Sequence, residues 1–162
     1  MDITVNFGGF FLKRRDCLTE NDKKWAIKED ENVKINLFLG EDPYALGHVV
    51  IELKSKAHDV SDLSMEEWKT ITEWTKKMTN TMKKVLREIV GKEVVKIYIC
   101  SFNEDSNFPV HFHLIPRYEC ETLKGDELLF YRSKAKQIIS PAEKQKIVDK
   151  LREELRKGRE IF

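Results

Sequence analysis

Two histidines, His111 and His113, are separated by a single apolar residue in the segment 109–117 (PVHFHLIPR). In a strand, side chains at i and i+2 point to the same face, so both imidazoles would share one surface while Phe112 and Leu114 point into the core. Imidazole can act as a nucleophile or an acid–base catalyst near neutral pH, and it is the commonest metal ligand. The spacing alone leaves catalysis, metal binding and a structural or surface pair all open.

The strands that would position this pair are visible in the sequence. Segments of alternating, β-branched or aromatic residues predict four strands: residues 33–39, 48–53, 94–102 and 111–115. Pro43 lies in the turn between the first two, which predicts an antiparallel pair. A polar loop, 103–107, separates the last two strands, and Pro116 is expected to end the last one.

Two helices are predicted from their capping residues. Ser64 with Glu67 forms a capping box for a helix over 65–90, and Gly91 is its natural C-cap. Steps of three and four predict one core stripe: Met65, Trp68, Ile71, Trp74, Met78, Met82, Val85, Leu86 and Ile89. A second helix is predicted to start at Pro141. Adjacent strands, one long helix and a terminal helix indicate an α+β fold with an antiparallel sheet.

Several segments in order resemble the histidine triad (HIT) family of nucleotide hydrolases and transferases. They are the His-x-His-x-x-Pro-Arg run, the upstream stretch 42–51 (DPYALGHVVI), and Lys56-Ala57-His58 followed by Asp62-Leu63. The resemblance covers about residues 33–117. It implies a single HIT-like domain over residues 1–162, with its core at 33–117 and a C-terminal helical extension at about 140–160.

The resemblance also implies a reaction. In this family the middle histidine of a His-x-His-x-His run attacks the α-phosphate of a nucleotide, and water then cleaves the covalent nucleotidyl-imidazole. Aligned on Pro116-Arg117, the nucleophile is His111, and His113 is the third histidine, which contacts the phosphate. The implied substrate is a purine nucleotide, as a nucleoside phosphoramidate or a dinucleoside polyphosphate. No cofactor is expected.

The sequence departs from the family pattern at the first histidine, which is Pro109 here. The orienting contact to the nucleophile involves the backbone carbonyl at this position, and proline keeps its carbonyl, so we predict that the orientation survives. Some relatives hold zinc with an N-terminal CxxC, a histidine like His58 and the first triad histidine. This chain has only Cys17 in that region, so no metal is expected, and His58 is predicted to be a surface or interface residue.

By the same resemblance, five residues are candidates for nucleotide binding: Phe38, Glu41, His48, Asn103 and Ser106. Phe38 would lie against the base, and His48 would line the pocket. Glu41 is a weak substitute for the Asp or Asn that binds the ribose hydroxyls in the family, whose position is Gly40 here. Asn103 and Ser106 would contact the phosphate or the leaving group. The alternatives are a core position for Phe38, a structural role for His48 and plain loop positions for Asn103 and Ser106.

Composition excludes several classes of protein. Twenty-nine basic and 28 acidic residues give a net charge of +1, which argues against a nucleic-acid-binding surface. No apolar run approaches the roughly 20 residues of a membrane span, and residues 1–10 do not resemble a signal peptide. Three cysteines without a CxxC favour reduced thiols, with Cys100 and Cys120 as buried, inert residues, and a cytoplasmic location. The family is typically homodimeric, so a homodimer is expected.

Two other functions remain open at this stage. The loss of the first histidine and the glycine at position 40 favour a catalytically weak nucleotide-binding or regulatory protein. A metal-binding module built from His111, His113 and His48 is the third possibility. The charged stretch 144–159 alternates in sign and is interpreted as a solvated helix face.

Overall fold

A five-stranded antiparallel sheet forms the centre of the computed structural model, which describes residues 24–38, 46–102, 109–119, 121 and 140–158. The strand order is β1-β2-β3-β5-β4. The elements are β1 (Ala26–Glu29), β2 (Val33–Leu37), β3 (Val49–Leu53), a 3-10 turn (Val60–Asp62), α1 (Met65–Val90), β4 (Val94–Cys100), β5 (His111–Tyr118) and α2 (Pro141–Lys157). The predicted α+β class with an antiparallel sheet, one long helix and a C-terminal helix is confirmed.

The long helix α1 has the bounds that its caps predict. The Ser64 hydroxyl accepts a hydrogen bond from the Glu67 amide, and the Glu67 carboxylate accepts one from the Ser64 amide at 2.8 Å. Gly91 ends the helix with φ of 71°, a left-handed conformation that glycine adopts without steric cost. The helix buries one face: Ile71, Met78, Thr81, Met82, Val85 and Leu86.

The predicted core stripe of α1 is wrong at its first two positions. Met65, at the first helical position, is 82% exposed. Trp68 is 36% exposed and meets the Phe112 ring edge-on at 6.0 Å between centroids, so it lies at the edge of the core and is not buried in it. The apolar layer under α1 therefore begins at Ile71.

One face of the sheet packs against the helices through alternate residues of its central strands. Every second residue of β2, β3 and β5 belongs to this layer: Val33, Ile35, Leu37, Val49, Ile51, Leu53, Phe112 and Leu114. The second helix, α2, adds Ile147, Val148, Leu151 and Leu155. Its Arg152 donates hydrogen bonds to the carbonyl of Ala26 at 2.6–2.8 Å, which holds α2 against β1.

The strand ends differ from the predicted ones. The strand β1 was not predicted, and β2 and β4 end at Leu37 and Cys100, before the predicted ends. The strand β5 continues past Pro116 to Tyr118. Proline is tolerated there because β5 pairs with β3 only from His111 to Leu114, so beyond that point only β4 needs hydrogen bonds from β5.

Candidate active site

Both histidines of the HxH pair lie on β5, between β3 and β4. In register, His111 is opposite Glu52 of β3, while His113 is opposite Val50 of β3 and Cys100 of β4. The two imidazole centroids are 5.1 Å apart, on the sheet face away from α1. The sequence prediction that the pair shares one face is confirmed, since the intervening Phe112 packs into the core.

The carbonyl of Pro109 orients the His111 ring. The distance from His111 Nδ1 to the Pro109 oxygen is 3.0 Å. A carbonyl oxygen can only accept, so Nδ1 carries the proton of this bond. A neutral His111 then presents its lone pair at Nε2. This is the contact that the sequence predicted would survive the replacement of histidine by proline, and the geometry contains it.

The backbone of His111 is also held from β4. The Ser101 hydroxyl donates to the His111 carbonyl at 2.8 Å, just beyond the end of β4. Sequence reasoning did not single out Ser101. A serine after a strand carries no signal by itself, and only the β4–β5 register brings it to this carbonyl.

A second pair of ring nitrogens joins His113 to His48. The distance from His48 Nε2 to His113 Nδ1 is 2.9 Å, so one ring donates its proton to the other. Both rings are buried, His48 at 1% and His113 at 8% exposure. The two nitrogens occupied by this bond cannot also bind a metal ion. The neutral ring that accepts this bond carries its own proton on its other nitrogen, so His111, His113 and His48 cannot all three bind one metal ion while the bond is intact.

Two phenylalanines pack on this imidazole pair. Phe38 stacks on His48 with centroids 4.4 Å apart and ring planes 10° from parallel. Phe102 lies 5.6 Å from His113 and has an exposed ring. The structure thus brings Phe38 and His48, two of the predicted nucleotide-binding residues, together with His113, and adds Phe102. The sequence placed Phe102 at the end of a strand and gave no sign of which ring it would meet.

The loop that carries His48 is fixed on both of its sides. The Tyr118 hydroxyl donates to the Leu46 carbonyl at 2.7 Å. Burial, and secondarily the nearby Glu121 carboxylate, raises the pKa of Tyr118 well above its usual value, so the hydroxyl stays a donor. Gly47 has φ of 84°, and a Cβ at this position would collide with the Leu86 side chain of α1. Tyr118 of β5 and Leu86 of α1 therefore both contact the segment that precedes His48.

Polar side chains extend across the sheet from His111. Glu52 is its cross-strand neighbour, and Lys34 of β2 is opposite Glu52. Directly opposed residues have Cβ atoms about 4.5–5.5 Å apart, so the Glu52 and His111 side chains start from neighbouring positions on the same face of the sheet. Lys34 is buried at 8% exposure. Two residues along β2, on the same face, the Asn36 Oδ1 atom is buried and accepts no hydrogen bond from the described part of the chain.

The remaining predicted site residues have different outcomes. Glu41, Asn103 and Ser106, together with Gly40, Cys17 and Cys120, lie outside the described residues. His58 is exposed, as predicted. Cys100 is partly buried beside His113, and this burial raises the pKa of its thiol, which makes it a weaker nucleophile.

The described residues contain no group of three or more histidine, cysteine, aspartate or glutamate side chains arranged to hold a metal ion. Among the helices within these same ranges, none combines the length and apolar character needed to cross a membrane.

Comparison with known proteins links this geometry to one family. The family model described as the HIT domain matches residues 19–120. No protein with a curated description matches the chain. A hypothetical histidine triad nucleotide-binding protein from Sulfolobus tokodaii superposes with a TM-score of 0.62 at 16% identity, over 85% of this chain and 87% of that one.

Two further solved structures have a similar fold. A Hit-like protein from Bartonella henselae, described as involved in cell-cycle regulation, gives a TM-score of 0.55 at 23% identity, over 79% of this chain and 84% of that one. The diadenosine triphosphate hydrolase of Plasmodium falciparum gives 0.54 at 16% identity, over 84% and 79%. Identities this low show a common fold and leave the substrate to be argued from the site.

Proposed function

Because the chain belongs to the HIT domain family, we propose that it is a HIT-type hydrolase that cleaves a nucleotide at its α-phosphate, with His111 as the nucleophile. The substrate class is a purine nucleoside phosphoramidate or a dinucleoside polyphosphate. One observation carries this proposal: the Pro109 carbonyl holds the His111 ring with its proton at Nδ1 and its lone pair at Nε2. An imidazole in that tautomer can attack phosphorus without first losing a proton.

The proposed reaction has two steps. Nε2 of His111 forms a bond to the α-phosphorus, and the bond from that phosphorus to the leaving amine or phosphate breaks, with the electron pair going to the leaving group. A leaving amine takes up a proton from solvent. Water then attacks the same phosphorus, gives up a proton to solvent, breaks the P–N bond and releases the nucleoside monophosphate and neutral His111. The Pro109 carbonyl stabilises the cationic ring of the intermediate, because it accepts a hydrogen bond from the His111 Nδ1–H group in both steps.

The neighbouring imidazole pair supports binding of the phosphate. When His48 Nε2 donates to His113 Nδ1, the proton of neutral His113 lies on Nε2. We propose that this N–H donates to an oxygen of the α-phosphate, which accumulates charge during the displacement. Phe38, stacked on His48, supplies an aromatic face on which a purine can pack. Glu41, Asn103 and Ser106 remain predicted contacts.

Other parts of the proposal rest on the family alone. A single domain over residues 1–162, a homodimer and a cytoplasmic location are typical of HIT proteins. The Plasmodium falciparum neighbour is named as a diadenosine triphosphate hydrolase, which supports testing dinucleoside polyphosphates beside phosphoramidates. The Sulfolobus tokodaii neighbour is named as nucleotide-binding, which supports a nucleotide as the ligand.

The decisive experiment measures AMP release from adenosine 5′-phosphoramidate and from a dinucleoside polyphosphate. We expect release by the wild type, none above background by His111→Ala, and a trapped nucleotidyl-protein after alkaline denaturation of the wild type only, because the P–N bond of a nucleotidyl-histidine is labile in acid and stable in alkali. The variant Pro109→His tests the orienting contact. We expect its turnover within a few-fold of wild type, because the Pro109 carbonyl already orients the His111 ring. A gain of several orders of magnitude in turnover would show that proline at position 109 greatly reduces catalysis.

A nucleotide-binding protein without turnover is the second candidate, and the loss of the first triad histidine at Pro109 favours it. It predicts AMP binding by calorimetry, no AMP release from either substrate and no trapped adduct. Binding that persists in His111→Ala with no turnover in wild type would establish it in place of the hydrolase.

A further inference from the structure

We propose that the protein has a second anion-binding site, away from the histidines, that takes a small polyphosphate such as pyrophosphate. The site is a surface cavity of about 220 Å³ where β1, α1 and α2 meet, on the helix side of the sheet. Four of its seven lining residues are cationic, namely Lys28, Lys77, Arg152 and Arg156, and none is acidic. The histidine pair lies on the opposite face of the sheet.

Two of these cations are held in place by neutral groups. Arg152 donates from Nε and Nη2 to the carbonyls of Ala26 and Lys24, at 2.6–3.2 Å. Lys77 lies over the Trp74 ring with its Nζ 5.4 Å from the centroid. Carbonyls and aromatic rings orient a cation without cancelling its charge. The positive charge therefore stays in the cavity while the side chains lose their freedom.

Carboxylates compensate the four charges only in part. Lys28 forms an ion pair with Asp30 at 3.3 Å, and Arg152 makes a long one with Asp149 at 3.5 Å. Within the described ranges, neither Lys77 nor Arg156 has a carboxylate at ion-pair distance. Like charges around one cavity repel each other, and an anion that binds between them removes this repulsion.

The size and lining of the cavity select the kind of anion. Pockets for drug-sized ligands have volumes of about 300–1,000 Å³, so 220 Å³ is too small for a dinucleotide and suits a compact anion. Guanidinium groups match phosphate oxygens with paired hydrogen bonds, which Arg156 would supply. Arg152 contributes mainly its charge, because its Nε and Nη2 already donate to the carbonyls of Ala26 and Lys24. The remaining lining residues are Ile27, Leu155 and Trp74, and the ring of Trp74 is in contact with the Lys77 ammonium group.

Calorimetric titration of the full chain with pyrophosphate at low ionic strength tests the proposal. We expect saturable binding by the wild type and at least a tenfold weaker affinity in Lys77→Gln/Arg156→Gln. The matched control is Lys83→Gln/Lys146→Gln, which removes two exposed charges from the same helices outside the cavity and should bind within about twofold of wild type. His111→Ala should also bind like wild type, which separates this site from the proposed catalytic one.

Three results would overturn the inference. Equal loss in the control double variant would indicate diffuse attraction to a basic surface, and loss in His111→Ala would assign the anion to the histidines. Tighter binding of ATP than of pyrophosphate would contradict the small cavity. Circular dichroism checks that each variant is folded, and Arg156→Gln alone, at an exposed position, should still weaken binding at least threefold if the double variant fails to fold.

Discussion

The two faces of the sheet are formed by the same strands but are stabilised in different ways, one by apolar packing and the other by polar contacts. Toward α1 and α2, alternate residues of β2, β3 and β5 are aliphatic or aromatic and bury against helix side chains such as Met82 and Leu86. On the other face the same strands bury Lys34, Asn36 and His113. Buried polar groups cost free energy unless they are hydrogen-bonded, so the second face depends on specific partners such as the His48–His113 bond. The first face specifies the fold and the second is organised around the histidines.

The largest expected effect is a loss of turnover without a comparable loss of stability. His111→Ala removes the proposed nucleophile, and turnover should fall by at least ~10³-fold, as it does when a covalent nucleophile is lost. Its hydrogen bond to Pro109 contributes only about 0.5–1.5 kcal/mol to stability. Initial rates and urea denaturation of the same preparation measure both quantities. A loss of rate matched by a large loss of stability would place His111 in the scaffold instead.

The opposite result is expected for Leu86→Ala on the helix face. Leu86 is fully buried in the core and packs against Gly47. Its truncation should cost about 2–5 kcal/mol of unfolding free energy through lost burial and a residual cavity. At temperatures where this variant stays folded, kcat should remain within a few-fold of wild type. A drop of a hundredfold or more in a folded variant would mean that the two faces are not separable, because Leu86 would then position His48 through Gly47.

The helix face was the easier one to predict from sequence, for physical reasons. Its signals are local: the Ser64–Glu67 capping box and Gly91 set both ends of α1, and their partners lie within four residues. The spacing of apolar residues correctly predicted the core-facing residues of α1 from Ile71 onward. It could not show which helical residues face the sheet and which extend beyond it. That is why Met65 was wrongly placed in the core.

The histidine face was only partly predictable. The i, i+2 rule put His111 and His113 on one surface, and the carbonyl at Pro109 needed no side chain, so its contact could be expected. The short β1 (AIKE) has too little pattern to be recognised as a strand. Glu52, Ser101 and Phe102 reach the histidines only through the register of β5 with its two neighbours, which no local pattern contains.

A smaller effect, on substrate preference, is expected when one charge on the histidine face is removed. Glu52→Gln removes the carboxylate opposite His111. A negative charge near the reacting phosphorus disfavours anionic leaving groups and favours cationic ones, by about 1 kcal/mol at 4 Å in water and more when solvent is excluded. We expect the kcat/KM ratio of an aminoalkyl phosphoramidate to a dinucleoside polyphosphate to fall about fivefold. Glu31→Gln, the same charge change at an exposed position near the β1–β2 turn, should leave the ratio unchanged, and an equal shift there would refute a local role for Glu52.

The smallest effect concerns Glu121, beyond the end of β5. Burial raises the pKa of this carboxyl group above its usual value, although its hydrogen bond from the Tyr118 amide acts in the opposite direction. A raised folded pKa means that the native state binds the proton more tightly, so this contribution to stability is complete below the unfolded pKa of about 4.3 and is lost as pH rises through the folded pKa. Glu121→Gln keeps an acceptor for the Tyr118 amide and removes the ionisation. The variant should match wild type in urea denaturation near pH 4 and exceed it by only a few tenths of a kcal/mol at pH 7, since partial solvent exposure screens the charge. A variant less stable than wild type at pH 7 would mean that the ionised carboxylate, through Arg117 and Lys92, stabilises this end of the sheet.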